Sequence, residues 1–171
     1  SPSNVHYTEA QKVYNNAFSD AIKSKAIVRA KMDDVLKDQG LWDDAKQAEY
    51  TRLAAEINQC ERTLKKGGIK LTDAKELALK MRENREKLKE LVSVRTTLDN
   101  QSAEGQADNM AFNYLVSACL VYNKEGKEVS YFTDLEDYMG HSADEVAYEA
   151  ASKLAELIYG GGEGIDKTLP E

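Results

Sequence analysis

Met110-Ala111-Phe112-Asn113-Tyr114-Leu115-Val116-Ser117-Ala118-Cys119-Leu120-Val121-Tyr122 forms the heart of the longest uncharged run in a heavily charged chain, and the turn signal Asn123-Lys124-Glu125-Gly126 follows at once. These thirteen residues are too few to span a bilayer as a helix. The run therefore reads as the buried central element of a small globular domain. Its length favours a helix from about 107 to 121, although a short apolar run such as LVSACLVY is also compatible with a buried strand. Val121-Tyr122 and Val129 to Phe132 flank Asn123-Lys124-Glu125-Gly126-Lys127 in the manner of a short β-hairpin.

Beyond the turn, two Ser/Thr-x-x-Glu boxes predict helix starts, Thr133 with Glu136 and Ser142 with Glu145. The first helix should run to about Tyr138 and the second to about Tyr159, where Gly160-Gly161-Gly162 ends it. Val146, Ala150, Leu154, Leu157 and Ile158 share one face of the second helix and can pack on the central run. The expected C-terminal core is thus Met110, Tyr114, Leu115, Ala118, Cys119, Val121, Phe132, Val146, Leu154, Leu157 and Ile158. Residues 161–171 read as an extended acidic tail.

On the N-terminal side, the turn formers of 99–106 mark a boundary. Before it, Tyr50, Leu53, Ile57, Cys60 and Leu64 recur at heptad spacing, as do Leu77, Met81, Asn84, Leu88, Leu91, Arg95 and Leu98. Lys65-Lys66-Gly67-Gly68 suits a helix end and a turn. Thr72 is positioned to cap the second helix, roughly 40 Å long. The two helices should fold back as an antiparallel pair about the glycines. Matching residue numbers that sum to about 134 places Tyr50 near Asn84, Leu53 near Met81 and Ile57 near Leu77. Asn84 then either meets the Tyr50 hydroxyl as a register device or lies in water at the seam edge. The second reading is preferred, because so short a turn already sets the register. Ahead of the hairpin, Thr8 with Gln11 predicts the start of one long helix from about 8 to 38, stopped by Gly40. The expected fold is mainly α: 1–40 an arm and long helix, 41–98 the heptad hairpin, 99–160 a small acidic domain, and 161–171 the tail.

Charge divides the same way. Residues 1–98 hold 19 Lys/Arg against 15 Asp/Glu, and residues 99–171 hold 4 against 15. The basic part can meet an acidic partner or the acidic end of another copy, whereas the acidic part repels phosphate. Cys60 and Cys119 lie in apolar patterns and read as buried free thiols. The chain opens Ser1-Pro2-Ser3 without a methionine, which reads as a trimmed product, and it carries no signal-peptide or membrane-spanning pattern.

Little in the chain is arranged for chemistry. His6 and His141 lack a cysteine or carboxylate partner at ligand spacing, and each reads as a surface residue. Gly160 to Gly164 follows a helix and lacks a phosphate-loop lysine, so it reads as a linker. Asp134, Glu136 and Asp137 lack calcium-hand spacing and suit helix capping. The hairpin cations from Arg62 to Lys89 alternate with Glu76, Glu83, Glu86 and Glu90 without aromatic residues among them. A solvated, ion-paired face fits them better than a nucleic-acid stripe. No metal, cofactor or catalytic residue is expected, and protein partners and self-association are.

Ala103 to Asn109 with Met110 to Asn123, the acidic segment through Leu169-Pro170-Glu171, Gly40-Leu41-Trp42-Asp43-Asp44 and Leu98-Asp99 carry a resemblance over most of the chain. They resemble structural or assembly proteins of large contractile-tailed phages that infect cyanobacteria. The resemblance implies a continuation past Glu171 into Asp-Gly repeats. Leu115 to Val121, Glu125-Gly126-Lys127, Phe132-Thr133, Asp134 to Tyr138 and Glu149 to Ile158 are in addition similar to tail assembly chaperones of tailed phages. Together they imply a non-enzymatic role in tail or virion assembly, in the virion or the host cytoplasm. The alternatives are a permanent virion subunit that self-packs through its hairpin, and a nucleic-acid or host-factor binder.

Overall fold

Helical periodicity and only two prolines lead to a mainly α chain. In a computed structural model that describes residues 1–160, 76% is helix, in seven segments, with one two-stranded antiparallel sheet. The expected tail at 161–171 lies outside the described residues. The helices sort into two units: Ser1–Ala26 joins the chain from Ala103 onward, and Ile27–Ser102 stands as the other. This corrects the expected division, because the first helix belongs with the C-terminal domain and the segment after it belongs with the hairpin.

The expected helix over 8–38 is two helices, α1 (Asn4–Lys23) and α2 (Arg29–Asp38). Lys25 adopts φ 62°, and the N–H groups of Lys25 and Ala26 donate to the carbonyls of Ile22 and Ala21. That is a Schellman ending with lysine where glycine is usual, so nothing in the composition announces it. Thr8 does not cap α1, since its hydroxyl donates to the Asn4 carbonyl inside the helix. The cap is Ser3, whose hydroxyl accepts the His6 N–H while His6 Nδ1 accepts the Ser3 N–H. Gly40 ends α2 as expected: with φ 64° it allows Leu41 N–H to reach Leu36 O and Gly40 N–H to reach Lys37 O. Leu41 also packs on the cluster that contains Leu36, the apolar contact that accompanies this motif.

In the second unit, α3 (Asp44–Lys66), capped by Asp43, and α4 (Leu71–Gln101) form the hairpin about Gly67 and Gly68, both at positive φ. The expected cap Thr72 is inside α4, which starts after extended Lys70 without a side-chain cap. Leu53, Ile57, Cys60 and Asn84 of the seam are buried, while Tyr50, Leu64, Leu77, Met81, Leu88 and Leu91 are half-buried. A two-helix seam has no third wall, and this gradient is what such packing leaves. A third wall exists at the base, where Met32 and Leu36 of α2 and Trp42 form a cluster that Leu41, Tyr50, Leu91, Val92 and Leu98 cover. Arg95 lies over the Trp42 ring at 5.1 Å and binds Asp33, and Arg29 grips both carboxylate oxygens of Asp99.

The register differs from expectation. The Asn84 amide donates to Glu56 at 2.9 Å rather than meeting Tyr50 or water, and Lys80 and Arg85 bind Glu56 and Glu61. Tyr50 instead stacks edge-on against Trp42. Burial of Asn84 at 5% exposure overturns the seam-edge reading. A charged partner on the preceding helix compensates its desolvation, and spacing alone does not reveal it.

In the first unit the opening run is indeed central. α5 (Ala103–Cys119) packs against α1 and against the closing helices α6 (Leu135–Gly140) and α7 (Glu145–Tyr159). It starts earlier than expected, because Ser102 breaks the chain for a single residue, its N–H and hydroxyl both donating to the Asp99 carbonyl. Alanines are buried along α1 and α5: Ala10, Ala21, Ala103 and Ala107. Small side chains let two helices approach closely. After α5, β1 (Val121–Lys124) and β2 (Lys127–Ser130) make the hairpin, with Glu125 at φ 54° and Gly126 at φ 82°. Two successive positive φ values are the type I′ turn that matches strand twist.

The two later capping boxes are also displaced by one or two residues. Asp134 caps α6, accepting the Asp137 N–H, while Thr133 donates to Asp137. Ser142 donates to the Met139 carbonyl, and α7 starts after Asp144. Asp competes with Ser and Thr for the cap position on nearly equal terms, so adjacent candidates are not ranked by composition.

Candidate interaction surfaces

The expected core residues divide by position. Leu115, Phe132 and Leu154 are buried, joined by Ala10, Val116, Tyr138 and Ala147, and Tyr114 and Ile158 pack against them. Met110, Ala118 and Cys119 are half-buried. Val121, Val146 and Leu157, however, are 42%, 45% and 56% exposed, which corrects their assignment to the core. Val121 lies on a hairpin whose every residue is exposed, and α7 presents a narrower inward stripe than the sequence pattern implies.

These exposed positions are not isolated. In the β-hairpin Tyr122 stands opposite Val129, and Tyr131 meets Tyr122 edge-on, so an aromatic and aliphatic strip faces outward. Contacts of Tyr131 with Phe132 and of Phe132 with Tyr138 link that strip to the core and hold it in place. Met139, Tyr148 and Tyr159 add further exposed apolar area on α6 and α7. Between α1 and α5 runs an open groove of about 360 Å³, floored by Val13, Ala17, Ala21 and Met110 and edged by Asn16, Asp20, Ser24 and Gln106.

The hairpin apex has another character. Arg62, Lys65, Lys66 and Lys70 surround the two glycines, and Ile69 and Leu71 beside them are 37% and 72% exposed. The expected pairing of cations with Glu76, Glu83, Glu86 and Glu90 along α4 is not what forms. The carboxylates that bind Lys80 and Arg85 come from Glu56 and Glu61 of α3.

Both histidines have partners after all. His6 Nδ1 lies 3.5 Å from Cys119 Sγ, a proximity that sequence separation hides. Burial pushes the Cys119 thiol above its ordinary range. Its place at the C-terminal end of α5 also disfavours a thiolate, because the helix dipole is negative there. A nucleophilic cysteine needs the opposite surroundings. The pair therefore tethers the start of α1 to the end of α5. His141 contacts Asp137, whose backbone carbonyl and carboxylate raise the imidazole above its usual value. The Thr133 N–H and hydroxyl, with His141, hold the Asp137 carboxyl below its usual range. This pairing fastens the end of α6 to its own start.

Among the described residues no three His, Cys, Asp or Glu side chains are grouped to hold a metal ion, and no helix is long and apolar enough to cross a membrane. No protein-family model, curated protein or solved structure matches the chain.

Proposed function

We propose that this chain is a non-enzymatic component of tail or virion assembly in a contractile-tailed phage and acts through protein–protein contacts. The observation that carries the reading is the outward strip of Tyr122, Val129 and Tyr131, fixed by aromatic contacts to the core, with Met139, Tyr148 and Tyr159 exposed nearby in sequence. Large apolar side chains held rigidly in water favour burial by a partner, and aromatic residues are the usual anchors of such contacts. The resemblance of Ala103 to Asn123 and of the hairpin to phage assembly proteins supplies the biological setting. Its partners are then other phage proteins, and its place is the host cytoplasm or the particle.

A second reading, a permanent virion subunit that packs through its hairpin, draws on the half-buried seam at Leu64, Leu77 and Met81, which a neighbouring helix would cover. Mass spectrometry of purified virions separates the two. Stoichiometric protein in the particle supports the subunit, and its absence from the particle, with presence in infected cells, supports an assembly factor. A nucleic-acid role, which the cations of the apex would serve, predicts retardation of DNA or RNA in a low-salt gel shift.

A further inference from the structure

The two most exposed large apolar side chains among the described residues are Leu71, at 72%, and Tyr148, at 71%. They sit in opposite electrostatic surroundings. From Arg62 to Thr72 the chain carries four Lys/Arg and no Asp/Glu, whereas from Val129 to Ser152 it carries six Asp/Glu and no Lys/Arg. Leu71 follows the glycine turn that Arg62, Lys65, Lys66 and Lys70 surround. Tyr148 lies one helical turn beyond Asp144 and Glu145 on α7, with Glu149 beside it. None of these four cations and none of these three carboxylates is used up in the core, since all are exposed. Glu149 has an ion pair with exposed Lys153.

We propose that copies of this chain associate head to tail, the cationic apex of the hairpin in one copy seating on the acidic first turns of α7 in the next. Leu71 would cover Tyr148, and the apex cations would meet Asp144, Glu145 and Glu149, with a lysine free to lie over the Tyr148 ring. Each surface couples an apolar centre with a rim in which one sign predominates, cations around Leu71 and carboxylates around Tyr148. The two rims attract each other and repel their own kind, which disfavours apex-to-apex and face-to-face pairing. Such a contact joins two different surfaces, so it closes into a ring or continues as a filament. The proposal rests on the assembly reading only in taking protein as the ligand of these surfaces.

Sedimentation velocity of the chain at rising concentration tests it, with circular dichroism to verify that each variant keeps its helix content. The wild type should associate in low salt and dissociate as salt screens the rims. The apex variant Lys65→Glu/Lys66→Glu/Lys70→Glu and the face variant Asp144→Lys/Glu145→Lys/Glu149→Lys should each weaken association by roughly tenfold or more. An equimolar mixture of the two should regain it, because each then offers the complement of the other. Leu71→Ser and Tyr148→Ser should weaken association without changing its salt dependence. A folded wild type that stays monomeric at every concentration overturns the proposal. Association that neither charge reversal alters, or mixing that restores nothing, also overturns it. Apex-dependent binding to anionic vesicles or to nucleic acid by a chain that remains monomeric overturns it in favour of a phosphate-bearing partner. A monomeric wild type that still co-purifies with phage proteins leaves the assembly reading standing while this proposal falls.

Discussion

Lys25 shows how a single residue redirects the chain. A left-handed conformation strains a residue with a Cβ by about 1–2 kcal/mol, and only the Schellman bonds to Ala21 and Ile22 hold Lys25 there. Lys25→Gly should therefore raise stability, by up to about 1 kcal/mol once the greater entropy of unfolded glycine is offset. Urea unfolding with an unchanged slope would register the gain as a higher midpoint. A second case is His141. Its raised pKa means that the charged imidazole favours the folded state, so the contribution is present below the ordinary value of about 6.5 and fades as pH climbs through the raised one. Asp137 has the opposite dependence: its lowered pKa gives stability at neutral pH that is lost on acidification. NMR titration should find His141 above its model-peptide value, and Asp137→Asn should bring it down. Lys25 and the contact of His6 with Cys119 were illegible in the sequence for a plain reason. Lys25 has the composition of a helix interior, and the Cys119 partner of His6 lies far away along the chain, so neither carries a local signal.

Elements were more legible than their ends. Heptad spacing correctly indicated α3, α4 and their return about Gly67-Gly68, because two helices can hide an apolar stripe only against each other. The Asn123 to Lys127 segment correctly indicated a hairpin, since Gly126 takes the positive φ that the turn needs without strain and the Asn123 side chain accepts the Gly126 N–H. Caps fared worse, with Thr8, Thr72, Thr133 and Ser142 all displaced by neighbours. The union of α1 with α5 leaves little trace in the sequence because its buried surface includes the alanines Ala10, Ala21, Ala103 and Ala107, which contribute little to a hydrophobic pattern. Their role is to permit close approach, and it predicts a specific vulnerability. Ala107, fully buried, should not tolerate enlargement: Ala107→Leu would overpack the unit and destabilise it by about 1–3 kcal/mol. Thermal unfolding followed by circular dichroism would measure this, and an unchanged midpoint would mean that the site has slack.

For the molecule as a whole, two units with separate cores follow from a chain that leaves α1, runs through the α2–α4 unit and returns at Ala103 to complete what α1 began. Consecutive elements are usually neighbours, so nothing in the residue order shows that α1 pairs with α5 rather than with the helix that follows it. Leu115, in the core cluster on α5, tests the division. Leu115→Asp buries an unpaired carboxylate and should abolish cooperative unfolding of the first unit. Proton–deuterium exchange should then show lost protection in α5–α7 and preserved protection in α3 and α4, whose core does not include it.

The surfaces left after folding, Tyr122, Val129 and Tyr131 on the hairpin, Tyr148 on α7 and Leu71 on the apex, are apolar, exposed and distributed over both units. A role in assembly through protein contacts requires that partners cover them. The most direct measurement is affinity purification of the tagged chain from infected cells, comparing wild type with a variant carrying Tyr122→Ser, Tyr131→Ser and Tyr148→Ser that retains its helix content. The predicted result is recovery of tail or capsid proteins in fixed ratio with the wild type and their loss with the variant. Recovery of the wild-type chain alone, or of the same proteins with both chains, would contradict the account.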